Sequence, residues 1–285
     1  MIITKFLGKT ADVIDMLTLL LLFALQVASP AEMACVGSVQ EMNVPENVYV
    51  AGVEDEGTMT FGSPGQALYL NGPGISLLKT GSVLRVVRPE GKVRDPLSGN
   101  KLGTYYKDIG TVRIEAVDHE SATALIMSIC EGMLKGDLVV PKVQSPVVEF
   151  NGDMSNALTH IQGGLTGSIV LGKDDSRQMA VGQFCFIQLG RRDGVKPGDR
   201  FVIFRPYPGF NSQDLEVAGG ATNALYSSVR GVLYRYKMES MFRNRTLPPK
   251  VLGDIVIVET GEGVSTGKII NSLSEINPGD LVVKQ

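Results

Sequence analysis

Short runs of alternating apolar and polar residues, separated by glycine and proline, dominate the chain beyond residue 50. The segments VLRVVR, TVRIEAV, FVIF and DIVIVET are rich in β-branched residues, and turn-forming residues bound each of them. This alternation is typical of half-buried strands. With about six such strands in each stretch of about 90 residues, the pattern predicts an all-β fold of small barrels or sandwiches with little helix.

The pattern occurs twice. Residues 110–140 align without a gap with residues 253–283, with nine identities that include the pentapeptide GDLVV in both. Upstream, TGSVLRVVRP (80–89) matches PGDRFVIFRP (197–206), and VAGVEDEGTMTFGS (50–63) matches VLGKDDSRQMAVGQ (170–183) in spacing and acidic character. Repetition of this extent indicates a duplicated domain.

The repeat sets the predicted domain boundaries: a first β domain over 32–142, a linker over 143–168 with a short helix near 154–161, and a second β domain over 169–285 with a basic insertion over 211–249. In each Gly-Asp turn we expect glycine at positive φ and an aspartate that accepts from nearby backbone N–H groups before the final Leu-Val-Val strand. Residues 122–130 and 265–272 fit either a strand or a short helix.

The amino-terminal segment has the pattern of an export signal. Lys5 and Lys9 precede an apolar run of about a dozen residues, and small residues follow it, which is typical of a secretory signal peptide. The run is shorter than the roughly 20 apolar residues that span a bilayer. Residues 1–31 are therefore predicted to be a signal peptide, with cleavage after Ser29 or Ala31. A lipid on Cys35 is a weaker alternative, because Glu32 and Met33 depart from the lipoprotein pattern.

The three cysteines have no metal-binding spacing. In the repeat, Cys130 aligns with Leu273, and Cys185 falls near Ala67 or Leu68. Because the other copy holds apolar residues there, we expect Cys130 and Cys185 to be buried free thiols rather than a disulfide or a nucleophile. Cys35 is expected in a flexible mature terminus.

The composition argues against several classes of function. The formal net charge of −3 argues against a dedicated nucleic-acid-binding protein. With only two histidines, a multi-histidine metal site or a nucleophile–histidine arrangement is not expected. His119 lies in a predicted turn, and His160 lies in the linker region without an acidic or nucleophilic motif nearby. The chain is predicted to be non-enzymatic, with no cofactor, no metal and no catalytic residue.

A hydrolase remains the alternative from another class. The acidic pairs Glu54/Asp55 and Asp174/Asp175 could serve an envelope glycan hydrolase, which works with two carboxyl groups across one cleft. The pairs fall at matching places in both copies, which such a cleft would not require. A turn or a weak cation site explains the repeated pair more simply.

The basic insertion is the most distinctive surface in the sequence. Between residues 228 and 250 the net charge is +5, with three aromatic residues interspersed. This composition favours a contact with an anionic envelope partner, which could be a protein, peptidoglycan, an anionic lipid or a glycan, although a solvated hairpin is the simpler alternative. The candidate partner-binding residues are Arg230, Arg235, Lys237, Arg243 and Arg245.

An ordered series of short motifs runs through the first copy: GVEDEG (52–57), Arg88-Pro89, DPLSG (95–99), Leu102-Gly103, Ile109-Gly110 and Gly136-Asp137. It resembles the β-rich region that accompanies LysM modules in exported bacterial envelope proteins, and it is similar to the C-terminal domain of flagellar assembly protein T. The resemblance implies an exported, non-enzymatic protein of the periplasm or cell envelope. The second copy departs from it, since the basic insertion replaces the DPLSG turn, and no LysM module is present.

Overall fold

The computed structural model describes residues 27–53, 62–142, 164–206 and 248–285. Most of the predicted signal peptide, the predicted linker helix near 154–161, His160 and Glu54/Asp55 lie outside the described residues. So do Arg230, Arg235, Lys237, Arg243 and Arg245. Strands dominate the part of the chain that is described, which confirms the predicted all-β, two-domain fold.

The first domain contains seven strands, all of whose pairings are antiparallel. Six of them pair in the cyclic order β4–β5–β6–β3–β2–β7, which returns to β4 and closes a ring, while β1 pairs with β5 outside the ring. The strands are β1 (Ser38–Gln40), β2 (Tyr49–Val53), β3 (Ala67–Asn71), β4 (Val83–Arg94), β5 (Lys101–Val117), β6 (Ser121–Ile129) and β7 (Leu138–Pro141).

The second domain is a closed barrel of six strands in the order β10–β11–β12–β9–β8–β13. Its first strand begins at Thr166, inside the segment predicted as a linker. The strands are β8 (Thr166–Gly172), β9 (Phe184–Ile187), β10 (Arg200–Arg205), β11 (Lys250–Thr260), β12 (Ser265–Ser272) and β13 (Leu281–Lys284). The described helices are short: α1 (Pro30–Met33) and 3-10 turns at Ile75–Leu77, Lys173–Asp175 and Arg191–Asp193.

The two rings have the same order of equivalent strands, as expected for a duplicated domain. Residues 122–130 and 265–272, which fitted either strand or helix, fall on β6 and β12. Both barrels are filled from equivalent positions, and each fully buried aliphatic side chain contributes about 1.5–3 kcal/mol. Examples of equivalent core pairs are Leu70 and Ile187, Val86 and Ile203, Ile114 and Ile257, Ile126 and Ile269, and Met133 and Ile276.

The register of β2 and β8 corrects one part of the sequence match. Val50 pairs with Leu70, and Ile169 pairs with Ile187. Because Leu70 and Ile187 are equivalent, Val50 corresponds to Ile169 rather than to Val170. Neighbours along a strand point to opposite sides, so the one-residue shift places Val50 and Ile169 in the two cores.

The turns before the final strands form as predicted. Gly136 and Gly279 have φ values of +92° and +96°, a region that favours glycine. The Asp137 Oδ2 atom accepts from the Leu134 N–H at 2.8 Å, and the Asp280 Oδ2 atom accepts from the Asn277 N–H at 2.7 Å. These turns deliver Leu138 and Leu281 into β7 and β13.

The expectation for two of the cysteines is wrong. Cys35 and Cys130 form a disulfide with a Cα–Cα distance of 5.5 Å, so Cys130 is not a free thiol and Cys35 is tied to the first barrel. The sulfur of Cys35 is therefore not available to carry a lipid in this form of the protein. The comparison with Leu273 misled because that side chain is 51% exposed, so the position is not part of the core. Cys185 is a buried free thiol as predicted, and burial raises its pKa to about 12.

Candidate binding surface

The most strongly repeated polar residues bind each other inside each copy. The Arg88 guanidinium donates to both carboxylate oxygens of Asp137 at 2.7 and 2.8 Å, and Arg205 does the same to Asp280 at 2.6 and 2.9 Å. The two aspartates are almost fully buried. Hydrogen bonding to these carboxylates raises the pKa of both arginines. The Arg-Pro and Gly-Asp repeats are therefore explained by structure.

The hairpin formed by β4 and β5 extends past the first barrel. Beyond the pair Arg88–Lys107 the two strands continue to pair, and β1 adds a third strand alongside β5. We call β1 together with residues 89–106 the docking layer. With residues from the amino-terminal segment, it packs on the outer face of the second barrel in one apolar cluster: Ala28, Val36, Val39, Val93, Tyr105, Val170, Leu171, Phe184, Phe186, Val258 and Val264.

Tyr105 is central to this contact. Its ring meets Phe186 edge-on, with 5.4 Å between centroids, and Phe186 is fully buried. The Tyr105 hydroxyl donates to the Val36 carbonyl at 3.1 Å and accepts from the Asp174 N–H at 3.5 Å. Burial raises the pKa of Tyr105, so its hydroxyl stays protonated as a donor.

The tip of the docking layer is the DPLSG turn of the first copy. Ser168 of the second barrel donates through Oγ to the Asp95 Oδ1 atom at 2.9 Å. Asp95 also accepts from the Leu97 and Ser98 N–H groups at 3.2 and 3.1 Å. Burial alone would raise the pKa of Asp95, but these hydrogen bonds outweigh it and lower the pKa. This motif thus joins the two barrels.

The amino-terminal segment also binds the outer face of the second barrel. Helix α1 begins with a capping box, in which the Glu32 N–H donates to Ser29 Oγ and the Ser29 N–H donates to Glu32 Oε2, at 3.2 and 2.7 Å. Glu32 then pairs with Lys268 of the second barrel at 2.7 Å, which lowers the pKa of Glu32. The Lys268 ammonium also lies 5.5 Å from the centre of the Phe184 ring.

One member of the described acidic pair, Asp174, is engaged in ion pairs. Asp174 and Asp175 adopt positive φ values of 56° and 57° after β8, and Asp174 contacts Lys173 and Lys107. Burial alone would raise the pKa of Asp174, but its ion pairs outweigh this effect and lower it. A general acid needs a raised pKa, so the local electrostatics of Asp174 oppose that role.

A cleft of about 290 Å³ lies between the barrels, and β1 of the docking layer forms part of its wall. Arg85 lines it and is held by Asp108, with an Nε–Oδ1 distance of 2.9 Å. Glu259 faces the same cleft and, within the described ranges, has no hydrogen-bond or ion-pair partner. Burial raises the pKa of Glu259, and nearby Asp108 adds to the shift while Arg85 and Arg191 oppose it.

Of the remaining sequence candidates, His119 lies within the described residues. The five basic candidates lie outside the described residues, but the strands that flank them are described. Arg205 pairs with Lys250 at the end of the β10–β11 hairpin, as Arg88 pairs with Lys107 in the first copy. His119 lies in the exposed turn between β5 and β6, where the Asp118 N–H donates to the Ser121 carbonyl at 2.8 Å. The prediction of a turn at His119 is confirmed.

Sequence reasoning missed the docking layer. Its apolar residues look like ordinary strand positions, and nothing in the linear pattern indicates that they cover a second domain. Among the described residues, no group of three or more histidine, cysteine or acidic side chains is placed to hold a metal ion. Within the same ranges, no helix has the length and apolarity needed to cross a bilayer.

No protein-family model matches the chain, and no curated protein matches it significantly.

Proposed function

We propose that this chain is an exported, non-enzymatic protein of the cell envelope that works as a structural or binding module. The compartment is supported by the Cys35–Cys130 disulfide, because such bonds persist in oxidising compartments such as the periplasm. The apolar amino-terminal run and its small-residue flank support the same assignment.

One observation carries the binding role. In the first copy, the 18 residues between Arg88 and Lys107 form the hairpin of the docking layer, which binds another barrel. In the second copy, the 44 residues between Arg205 and Lys250 occupy the equivalent place and include the basic segment. The hairpin that serves as a binding element in the first copy thus has, as its counterpart in the second copy, a longer segment that contains the basic stretch. We propose that this segment contacts an anionic envelope partner.

The charged residues of the barrels support the proposal that the basic segment is the binding element. Arg88, Arg205 and Arg85 are held by buried aspartates, so they are committed to the fold. The basic segment concentrates a charge of +5 with a single acidic residue between 228 and 250. Attraction between exposed charges is long-ranged and screened by salt, which gives the proposal a measurable signature.

The test is co-sedimentation of the full chain with insoluble peptidoglycan and with phosphatidylglycerol vesicles, at low and high salt. Replacing Arg230, Arg235, Lys237, Arg243 and Arg245 together by glutamine is expected to abolish binding to whichever probe the protein sediments with. The matched control replaces five exposed basic residues that have no ion pair within the described part of the chain: Lys79, Lys101, Lys135, Lys142 and Arg177. Equal loss in both variants, or no loss in either, would overturn a specific role for the segment.

Export and the absence of catalysis are tested separately. In intact cells, Cys35 and Cys130 should resist alkylation until a reductant is added. Reactive thiols at both positions would argue against an oxidising compartment. Release of soluble glycan fragments from peptidoglycan, lost on Glu54→Gln and Asp55→Asn substitution, would replace the binding role by hydrolysis.

A further inference from the structure

The outer faces of the two barrels differ in how far they are covered. On the second barrel, Phe184 pairs with Lys268 and Phe186 with Thr266, and the docking layer covers this face. The equivalent pairs on the first barrel are Ala67 with Leu125 and Tyr69 with Thr123. We call these four residues and Met127 the open face. Tyr69 is 40% exposed and Met127 is 42% exposed, whereas Phe186 is fully buried.

No docking layer covers the open face among the described residues. The element equivalent to the docking layer is the segment 206–249, because it joins the strands β10 and β11 that correspond to β4 and β5. Within one molecule, the hairpin of the first copy covers the barrel of the second copy. Repeating this relation places the segment 206–249 of the second copy on a first barrel that belongs to another molecule.

The charges and side chains of the two surfaces are complementary. Exposed Glu115, Asp118 and Glu120 flank the open face at and next to the β5–β6 turn, and among the described residues only Glu115 has a basic partner, Arg113. The segment 206–249 has a net charge of +2, and its five basic residues all lie between 230 and 245 together with Tyr234, Tyr236 and Phe242. Apolar contacts at the centre with opposite charges around them are typical of specific protein interfaces.

We propose that the open face binds the segment 206–249 of a second copy of this chain, in a head-to-tail assembly. This inference rests on the proposed function, since it names a partner for the same basic segment. A contact between two different surfaces of one protein is heterologous, so it extends from molecule to molecule and produces rings or filaments.

The experiment measures the mass of the full chain by sedimentation velocity over a wide concentration range. We expect the wild type to reach at least about twice the monomer mass as its concentration rises. The substitutions Tyr69→Arg and Met127→Arg, made together, should keep it monomeric because they add positive charge to the open face. Leu77→Arg and Val181→Arg, which alter more exposed apolar residues elsewhere, should leave the assembly intact.

A mixing experiment separates a lost interface from a misfolded protein. The open-face variant keeps an intact segment, and a variant lacking residues 228–245 keeps an intact open face. Each alone should be monomeric, whereas their mixture should form a 1:1 complex that grows no further. A wild type that stays monomeric at every concentration, or a mixture that forms no complex, would overturn the proposal. Loss of self-association with retained binding to peptidoglycan or vesicles would leave the proposed function standing.

Discussion

The two barrels share one strand order and one ion pair between an arginine and a buried aspartate, yet they differ on the outside. At equivalent positions, Phe186 lies in the contact between the barrels and Tyr69 is exposed. In the first copy, the connection between β4 and β5 belongs to the docking layer. In the second copy, a longer segment that contains the basic stretch connects β10 and β11. Duplication thus preserved the residues that close the ring, while the residues that determine what each barrel contacts diverged.

The disulfide gives the largest expected difference between the copies, because it occurs only in the first. Replacing Cys35 and Cys130 together by serine should destabilise the protein by about 4–5 kcal/mol, since the bond spans 95 residues and restricts the unfolded chain. Urea unfolding of the wild type with and without reductant measures the effect. The double variant should show no response to reductant. An unchanged midpoint in reduced wild type would mean that the first barrel does not depend on the bond.

The repeated ion pair offers a direct comparison of the two barrels. Asp137→Asn should cost about 3 kcal/mol, because it leaves the mostly buried Arg88 with only the more exposed Glu131 as an ionic partner. Asp280→Asn should cost less, since the side chain of Arg205 is 35% exposed against 18% for Arg88. Urea midpoints of both variants, with the exposed Asp118→Asn as control, test the order. Equal losses would show that the two pairs are equally desolvated.

The outer faces should respond unequally to the loss of an aromatic ring. Phe186→Ala should destabilise the protein by about 3 kcal/mol, because it empties a packed position against Tyr105. Tyr69→Ala should change the stability of the monomer by no more than about 0.5 kcal/mol, as expected for an exposed side chain. Thermal unfolding at a concentration where the protein is monomeric makes the comparison. A large loss for Tyr69→Ala would mean that the open face is covered within one molecule.

The smallest effect concerns Glu259, whose equivalent in the first barrel is the exposed Ala116. Burial holds the pKa of Glu259 above its ordinary value of 4.5, so the folded protein binds the proton more tightly than the unfolded chain does. The stability that this proton provides is complete below pH 4.5 and is lost as the pH rises through the raised pKa. Glu259→Gln should therefore raise Tm at pH 7 and leave it nearly unchanged at pH 4. A variant less stable at pH 7 would show that the ionised carboxylate has a favourable partner.

The sequence was sufficient for the features that depend on short-range pattern. Alternation located the strands, the repeat gave two domains, and the Gly-Asp turns at Gly136 and Gly279 adopt the expected conformation with the expected hydrogen bonds. These features follow from local chemistry, in which a turn residue and its neighbours determine the backbone. The repeat also allowed each ambiguous segment to be compared with its counterpart.

The contacts that the sequence did not predict join distant residues. Arg88 and Asp137 are 49 residues apart. Both recur in the second copy, but nothing in the sequence indicates that they bind each other. The docking layer depends on the placement of two barrels, which alternation within a strand does not encode. For the disulfide, an informative signal was present. A chain predicted to be exported, with one cysteine near its mature terminus and another at a strand end, favours pairing over a free thiol.

The disulfide also determines where mechanical load would enter the molecule. Force applied to the chain ahead of Cys35 is transmitted through the disulfide to Cys130, at the end of β6, because the bond is covalent. The backbone between the two cysteines need not carry that force. Val36, Val39 and strand β1 follow Cys35, so they are shielded from being peeled off the second barrel. A tether at the amino-terminal side would thus load the contacts of Ala28 and Glu32 with the second barrel and then pull on the first barrel as a whole, while β1 keeps its place.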